Sequence, residues 1–127
     1  MSDTISLAER MKQYEEQFEM KVDAKNCFVV RLDGKNFSKF TKVFKKFPYH
    51  PFNDLFTLTM YYSTIKTMKY FNARVAQTHS DEVSFYFPAL DTSDDKIPKS
   101  HIFNGRVLKI CTVMAGYFSN KFSHYLK

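Results

Sequence analysis

The sequence has few cysteines and no long apolar segment, and both absences restrict what the protein can be. Its two cysteines, Cys27 and Cys111, are far apart and form no C-x-x-C pair. Neither a disulfide framework nor cysteine metal ligation is indicated, and we expect two small buried thiols. No stretch approaches the roughly 18 apolar residues of a membrane span, and the charged N-terminal segment does not resemble a signal peptide. We therefore expect an intracellular protein, in the cytoplasm, the nucleus or an organelle, without a membrane partner.

The composition suits one compact domain with an anionic partner. Apolar residues make up 44% of the 127 residues and aromatic residues 17%, which is enough for a single core. We expect a single domain over residues 1–127. Lys and Arg number 19 against 13 Asp and Glu, which gives a net charge of +6. This excess favours nucleic acid or nucleoside triphosphates as partners, and it is as typical of a merely soluble basic protein.

The first part of the chain predicts a helix followed by a strand. A capping box of the form S-x-x-E begins at Ser6, and the apolar spacing after it predicts a helix over about residues 7–20. Residues 27–32 are mostly apolar and rich in β-branched side chains, which favours a buried strand. Asp33 and Gly34 follow directly and are typical of a turn, so we expect a carboxylate at the end of this strand.

The next segments predict a loop and a second helix. Residues 35–52 mix Lys, Phe and Pro, which indicates a short helical turn and a basic loop. Asn53 is expected to cap the helix that follows. The helical spacing predicts one apolar face on this helix, made of Leu55, Leu58, Tyr62, Ile65 and Met68.

The last third of the chain predicts a hairpin, an exposed connector and a final helix. Two β-rich runs, 74–78 and 83–87, flank the polar tripeptide at 79–81, and alternate residues of the second run are expected to face the core. Residues 88–101 indicate a connector. A helix is expected to begin near Phe103, with the apolar stripe Val107, Cys111, Met114, Phe118, Phe122 and Tyr125.

This order of elements resembles a ferredoxin-like or polymerase-palm sheet. We expect an α+β fold, with an antiparallel sheet that carries helices on one face and a core over about residues 27–125. A complete βαββαβ arrangement would add a fourth strand after the final helix, and none is predicted before Lys127. An open sheet edge would favour a homo-oligomer.

Two acidic turns are the strongest candidates for a site. Asp33 follows the first predicted strand, and Asp81 and Glu82 lie in the hairpin. The first strand and the hairpin are neighbours in a palm-type sheet, so these carboxylates are expected to converge. Carboxylates, a backbone carbonyl and substrate phosphates are the ligands that Mg²⁺ prefers. Taken singly, each acidic pair is also a common solvated turn.

Four segments, in order, resemble the tRNA-His guanylyltransferase family. They are VVRLDGKNFSKF at residues 29–40, HPFND at 50–54, HSDEVSF at 79–85 and GRVLK at 105–109. The resemblance implies a polymerase-palm nucleotidyltransferase that uses two Mg²⁺ ions to add nucleotides to the 5′ end of tRNA or a similar RNA, with GTP and ATP as substrates. It implies that Asp33 and Asp81 bind both metals, that the Gly34 carbonyl completes the coordination, and that Glu82 supports the site.

The resemblance also implies a set of nucleotide-binding residues. These are Lys35, Asn36, Phe37, Ser38, His50, Ser80, Arg106 and Lys109. Without the resemblance, Arg106 and Lys109 would be interpreted as a solvated basic start of a helix. His50 stands where the family usually has Lys or Arg, and Ser38 and His79 stand where it often has His and Gln. The last two differences make 5′-end repair as plausible an activity as strict guanylate addition.

Other interpretations remain open at this point. The four histidines occupy different elements without metal-ligand spacing, so surface or hydrogen-bonded roles are favoured. The phenylalanines of residues 37–52 could stack on a nucleotide, although core packing is the commoner role. A non-catalytic RNA- or nucleotide-binding remnant of the family and a nucleotide cyclase are the rival functions.

Overall fold

The computed structural model describes residues 5–17, 19–34, 54–93 and 96–126. This part of the chain contains helices α1 (Leu7–Glu16), α2 (Asp54–Phe71) and α3 (Val107–Leu126), strands β1 (Phe28–Asp33), β2 (Val75–His79) and β3 (Glu82–Phe87), and a 3-10 turn at Ile102–Gly105. The α+β fold and the order of elements agree with the sequence prediction. Residues 35–53, with the predicted loop and the cap at Asn53, lie outside the described residues.

The strands form one antiparallel sheet in the order β1-β3-β2. Ser80 and Asp81 make a two-residue turn between β2 and β3, with Ser80 in the left-handed region at φ 56°. The predicted inward face of β3 is confirmed, because Val83, Phe85 and Phe87 are all buried. The turn is one residue shorter than predicted.

Strand β1 is buried on one face only. Val30 is buried and Leu32 half-buried, whereas Val29 and Arg31 are exposed, and Val29 keeps 61% of its surface. The prediction of a buried strand therefore holds for one face of β1 and is wrong for the other. Helices pack on the inner face of the sheet, and the outer face stays in contact with solvent, so the side chains alternate between core and water.

The predicted apolar face of α2 was wrong at three of its five residues, since only Ile65 and Met68 are half-buried and Met68 packs against the core. Leu55, Leu58 and Tyr62 are exposed. The buried face consists of Phe56, Thr59, Met60, Ser63, Thr64, Thr67 and Phe71. Apolar residues surround this helix, so their spacing does not single out one side. The buried threonines satisfy their hydroxyls within the helix, each donating to the carbonyl oxygen one turn back at 2.6 to 2.7 Å.

The core lies where α2 and α3 pack together and against the sheet. Phe85 of β3 and Met114 of α3 have no exposed surface, and Ile110 is almost fully buried beside them. Phe122 near the end of α3 packs edge-to-face against Phe56 of α2, with ring centroids 6.0 Å apart. No helix in the described part of the chain is long and apolar enough to cross a bilayer.

Helix α1 is shorter and less buried than predicted. Its cap is as expected, since the Glu9 amide donates to the Ser6 hydroxyl at 3.2 Å. The helix ends at Glu16, not near Met20, and none of its residues is buried. The chain after it is instead extended, because residues 20–22 hydrogen bond to the segment that precedes α3.

Both cysteines are exposed, so the expectation of buried thiols was wrong. Cys27 precedes β1. Cys111 is exposed on α3, although Ile110 and Met114 of the same helix are buried.

A left-handed turn precedes α3. Phe103, Asn104 and Gly105 have φ values of 52°, 55° and 73°, so the helix begins at Val107 and not near Phe103. The Val22 amide donates to the Gly105 carbonyl oxygen at 2.8 Å, and the Val107 amide donates to that of Met20 at 2.9 Å. These bonds fix the start of α3 against the N-terminal segment.

Gly105 and Gly116 make a matched pair of test positions. A Cβ at Gly105 would lie 2.3 Å from the Val22 carbonyl oxygen, on a backbone that already favours glycine, whereas a Cβ at Gly116 within α3 meets nothing within 4 Å. We expect Gly105→Ala to lower the free energy of unfolding by roughly 2 kcal/mol or more. Gly116→Ala should raise it by about 0.5 to 1 kcal/mol. Urea unfolding measures both, and equal effects would contradict the assignment of the turn.

Ser63 offers a second test of packing. It is fully buried in α2, and its Oγ has no hydrogen-bond partner among the described residues. We expect Ser63→Ala to stabilise the protein by about 1 kcal/mol beyond the gain from helix propensity. Ser123→Ala changes an exposed serine in α3 and serves as the control for that propensity gain. A Ser63→Ala variant no more stable than the control in thermal unfolding would contradict this account.

Candidate functional site

The two acidic turns lie at one end of the sheet. Asp33, the last residue of β1, is the register partner of Glu82, the first residue of β3. The Gly34 amide, one residue further, donates to the Asp81 carbonyl oxygen at 3.2 Å. This bond ties the turn after β1 to the hairpin turn. Asp33, Gly34 and Asp81 are therefore neighbours in space although they are distant in the sequence.

A cavity of about 640 Å³ opens beside these residues. Its polar end is lined by Arg31, Asp33, Gly34 and Asp81. Its apolar wall is made by Leu32, Met60, Phe118, Phe122 and Leu126, and small side chains of α3 complete it at Cys111, Ala115, Ser119 and Ser123. A ligand with a charged end and a flat apolar body would match this distribution of groups.

An ion pair joins the outer face of β1 to that of β3. Arg31 donates to the Glu82 carboxylate, and the two side chains keep 61% and 28% of their surface. The hydrogen bond to Glu82 raises the pKa of the Arg31 guanidinium, and the negative charges of Glu82 and Asp33 add to the rise. Glu82 is not part of the cavity wall, whereas Arg31 is.

The donor set at the polar end fits a cation that a substrate helps to bind. The described residues contain no group of three or more His, Cys, Asp or Glu side chains that could hold a metal. Asp33 and Asp81 offer two carboxylates, and Gly34 offers a backbone carbonyl. Mg²⁺ commonly keeps several waters and binds through one or two carboxylates together with substrate phosphates. These residues therefore fit Mg²⁺ with a phosphorylated ligand better than a cation held by protein alone.

The remaining sequence-predicted residues lie elsewhere. Arg106 pairs with Glu19 of the N-terminal segment. The Lys109 ammonium lies 5.3 Å from the centroid of the Phe103 ring. Ser80 occupies the hairpin turn, and none of these three residues lines the cavity with the two carboxylates. The triphosphate residues Lys35, Asn36, Phe37, Ser38 and His50 lie outside the described residues.

The histidines of the described part do not form a metal cluster. His101 is buried, and its Nε2 lies 2.8 Å from the Asn26 carbonyl oxygen, while its ring meets that of Phe28 edge-on. His79 and His124 are exposed. The interpretation of hydrogen-bonded or surface histidines agrees with these positions.

Sequence reasoning missed two parts of the cavity. Arg31 lies two residues before Asp33, so the alternation of the strand already places both on one face. The small side chains of α3 gave no comparable signal. Ala115 and Ser119 are common residues in helices and are not part of the predicted apolar stripe, although Phe118 and Phe122 of that stripe also line the cavity.

A family model matches most of the chain. The family model for tRNAHis guanylyltransferase matches residues 8–127, nearly the whole chain. The chain belongs to the tRNAHis guanylyltransferase family. One sequence relative is an uncharacterised protein of Acanthamoeba polyphaga mimivirus, and the two sequences are 37% identical over 123 residues. That match covers 95% of this chain and 41% of the viral protein.

Solved structures of tRNA(His) guanylyltransferase-like proteins share the fold. A bacterial protein of this kind in complex with GTP superposes with a TM-score of 0.81 at 24% identity, covering 96% of this chain and 53% of the other. One in complex with ATP gives 0.79 at 24% identity, covering 96% and 50%. This chain thus spans about half the length of these tRNAHis guanylyltransferase relatives.

The Arg106–Glu19 pair can be tested as a structural contact. The pair joins the N-terminal segment to the start of α3 and is only partly exposed. We expect Arg106→Gln and Glu19→Gln each to lower the free energy of unfolding by about 0.5 to 1 kcal/mol, and the double variant to lose no more than either. Lys109→Gln is the control, with an effect below about 0.5 kcal/mol. If urea unfolding shows that the double variant loses the sum of the free energies lost by the two single variants, the pair contributes nothing to stability.

Proposed function

We propose that the protein is a Mg²⁺-dependent nucleotidyltransferase that adds nucleotides to the 5′ end of tRNA or another structured RNA, as a guanylyltransferase or a 5′-end repair enzyme. The observation that carries the proposal is the convergence of Asp33 and Asp81 on the polar end of one cavity. Membership of the tRNAHis guanylyltransferase family supports it. So does the shared fold with bacterial tRNA(His) guanylyltransferase-like proteins solved with GTP and with ATP.

In this proposal the end of the sheet is the catalytic centre. Asp33, Asp81 and the Gly34 carbonyl would hold two Mg²⁺ ions. The chemistry that Mg²⁺ supplies at such a site is neutralisation of phosphate charge and activation of an attacking hydroxyl. The β1–β3 pairing holds both carboxylates in place before the substrate arrives, so little reorganisation is needed. Glu82 would support the site through its contact with Arg31.

The substrates of the proposed reaction are GTP, ATP and the 5′ end of an RNA. Lys35, Asn36, Phe37, Ser38, His50, Ser80, Arg106 and Lys109 are proposed to contact the triphosphates. A net charge of +6 suits both a triphosphate and an RNA. The outer edge of β1 has no strand partner among the described residues, and we propose that it joins a second copy in a homo-oligomer.

Isosteric substitution of the two carboxylates tests the reaction. Asp33→Asn and Asp81→Asn keep the shape of the side chains but remove the charges that would bind the cations. We expect each variant to lose at least about 100-fold of the rate at which labelled GTP extends a 5′-truncated tRNA in Mg²⁺. Glu15→Gln removes an exposed charge from α1 and should extend the tRNA at the wild-type rate. Retention of the wild-type rate by both Asp variants would refute the assignment of the site.

A second candidate is a non-catalytic RNA- or nucleotide-binding protein derived from the same family. The observation in its favour is that the chain covers only 41% of the viral relative and about half of the solved structures. A wild-type chain that binds tRNA without extending it and without binding a divalent cation would establish this candidate and exclude the enzyme.

A further inference from the structure

We propose that Arg31 is a positioning residue that keeps the Glu82 carboxylate out of the cation site, so that the site is built from two carboxylates and selects Mg²⁺ over Ca²⁺. The inference rests on the proposed function, because it concerns the cation site at Asp33 and Asp81. In this role Arg31 positions the Glu82 carboxylate and does not itself take part in the reaction.

The first step of the argument is the register of the sheet. Asp33 and Glu82 are direct partners in the β1–β3 pairing, and Arg31 is the partner of Ser84. Side chains of partner residues lie on the same face of a sheet, with their Cβ atoms about 4.5 to 5.5 Å apart. The side chain of Glu82 therefore leaves the backbone beside Asp33, close enough for its carboxylate to join any cation that Asp33 binds.

The second step is where the Glu82 carboxylate lies. It accepts a hydrogen bond from Arg31, which occupies the diagonal position on the same face. Arg31, Asp33 and Asp81 line the cavity, and Glu82 does not. The ion pair thus holds the carboxylate of Glu82 beside Arg31 on the outer face of the sheet, and Glu82 is not among the residues that line the cavity.

The third step is the chemistry of the cations. Mg²⁺ prefers a strict octahedron with few protein carboxylates, whereas Ca²⁺ accepts six to eight oxygens and gains from each added carboxylate. Freeing Glu82 would add a ligand that favours Ca²⁺. Removing the charge of Arg31 would, by contrast, strengthen the binding of both divalent cations alike. The ratio of the two affinities therefore separates positioning from simple electrostatics.

The test measures cation binding by the whole chain, first without substrate and then with a saturating non-hydrolysable GTP analogue, with the analogue alone as the reference. Free Mn²⁺ is followed by electron paramagnetic resonance, and Mg²⁺ and Ca²⁺ are titrated as competitors. The variants are Arg31→Ala, Arg31→Gln, Glu82→Gln and the double variant Arg31→Ala/Glu82→Gln. Arg74→Ala is the matched control, since Arg74 is an exposed arginine next to β2 that does not line the cavity. Thermal unfolding verifies that each variant is folded.

The expected result is a change in selectivity that requires Glu82. In Arg31→Ala and Arg31→Gln the preference for Ca²⁺ over Mg²⁺ should rise about five-fold or more relative to wild type. The ratio of the Ca²⁺ affinity to the Mg²⁺ affinity should stay within about two-fold of wild type in Glu82→Gln, in the double variant and in Arg74→Ala.

Two outcomes would overturn the inference while leaving the proposed function intact. One is wild-type cation binding that depends on Asp33 and Asp81 but keeps its selectivity in both Arg31 variants. The other is an equal rise in affinity for Mg²⁺ and Ca²⁺, which would reduce Arg31 to a nearby positive charge. A wild-type chain that binds no divalent cation either without or with the GTP analogue would instead remove the proposed function, and the role of Arg31 with it.

Discussion

The antiparallel pairing of β1 with β3 is the constraint on which the rest of the structure depends. It sets Asp33 against Glu82 and leads directly to the bond between Gly34 and Asp81 that joins the two turns. Side chains alternate along a strand, so a register shift of one residue would send Asp33 and Arg31 inward and Val30 and Leu32 into solvent. The same pairing that buries the core thus places the acidic residues at the end of the cavity.

The inner side of the sheet holds that register by burial. Val30, Val83 and Phe85 lie against the two long helices and are almost fully removed from water. Helix α2 brings large apolar side chains and hydroxyl side chains to this core, and its buried threonines satisfy their hydroxyls within the helix itself. At the end of the sheet that carries Asp33 and Asp81, the two turns are held by backbone hydrogen bonds and by the Arg31–Glu82 pair, and not by burial of the acidic side chains.

The sequence allowed prediction wherever the physical signal was local. Alternation identified the inner face of β3, the capping box identified Ser6, and the two acidic turns predicted that Asp33 and Asp81 lie close together, as they do in the wall of one cavity. The orientation of α2 could not be predicted, because apolar residues surround that helix and the buried Thr59 and Thr67 count as polar in any pattern. The early end of α1 and the exposure of Cys111 depend on contacts between distant segments, which spacing along one element does not reveal.

The backbone bonds before α3 have a geometric consequence for the cavity. Met20 and Val22 hold the peptide groups on either side of Arg106, so the position along the chain at which the helix starts is fixed. Each residue of an α-helix turns the next one by about 100°. A single residue inserted between Gly105 and Val107 would therefore rotate Cys111, Ala115 and Ser119 out of the cavity wall, whereas insertions in the exposed segment at 96–100 would leave the phase of the helix unchanged.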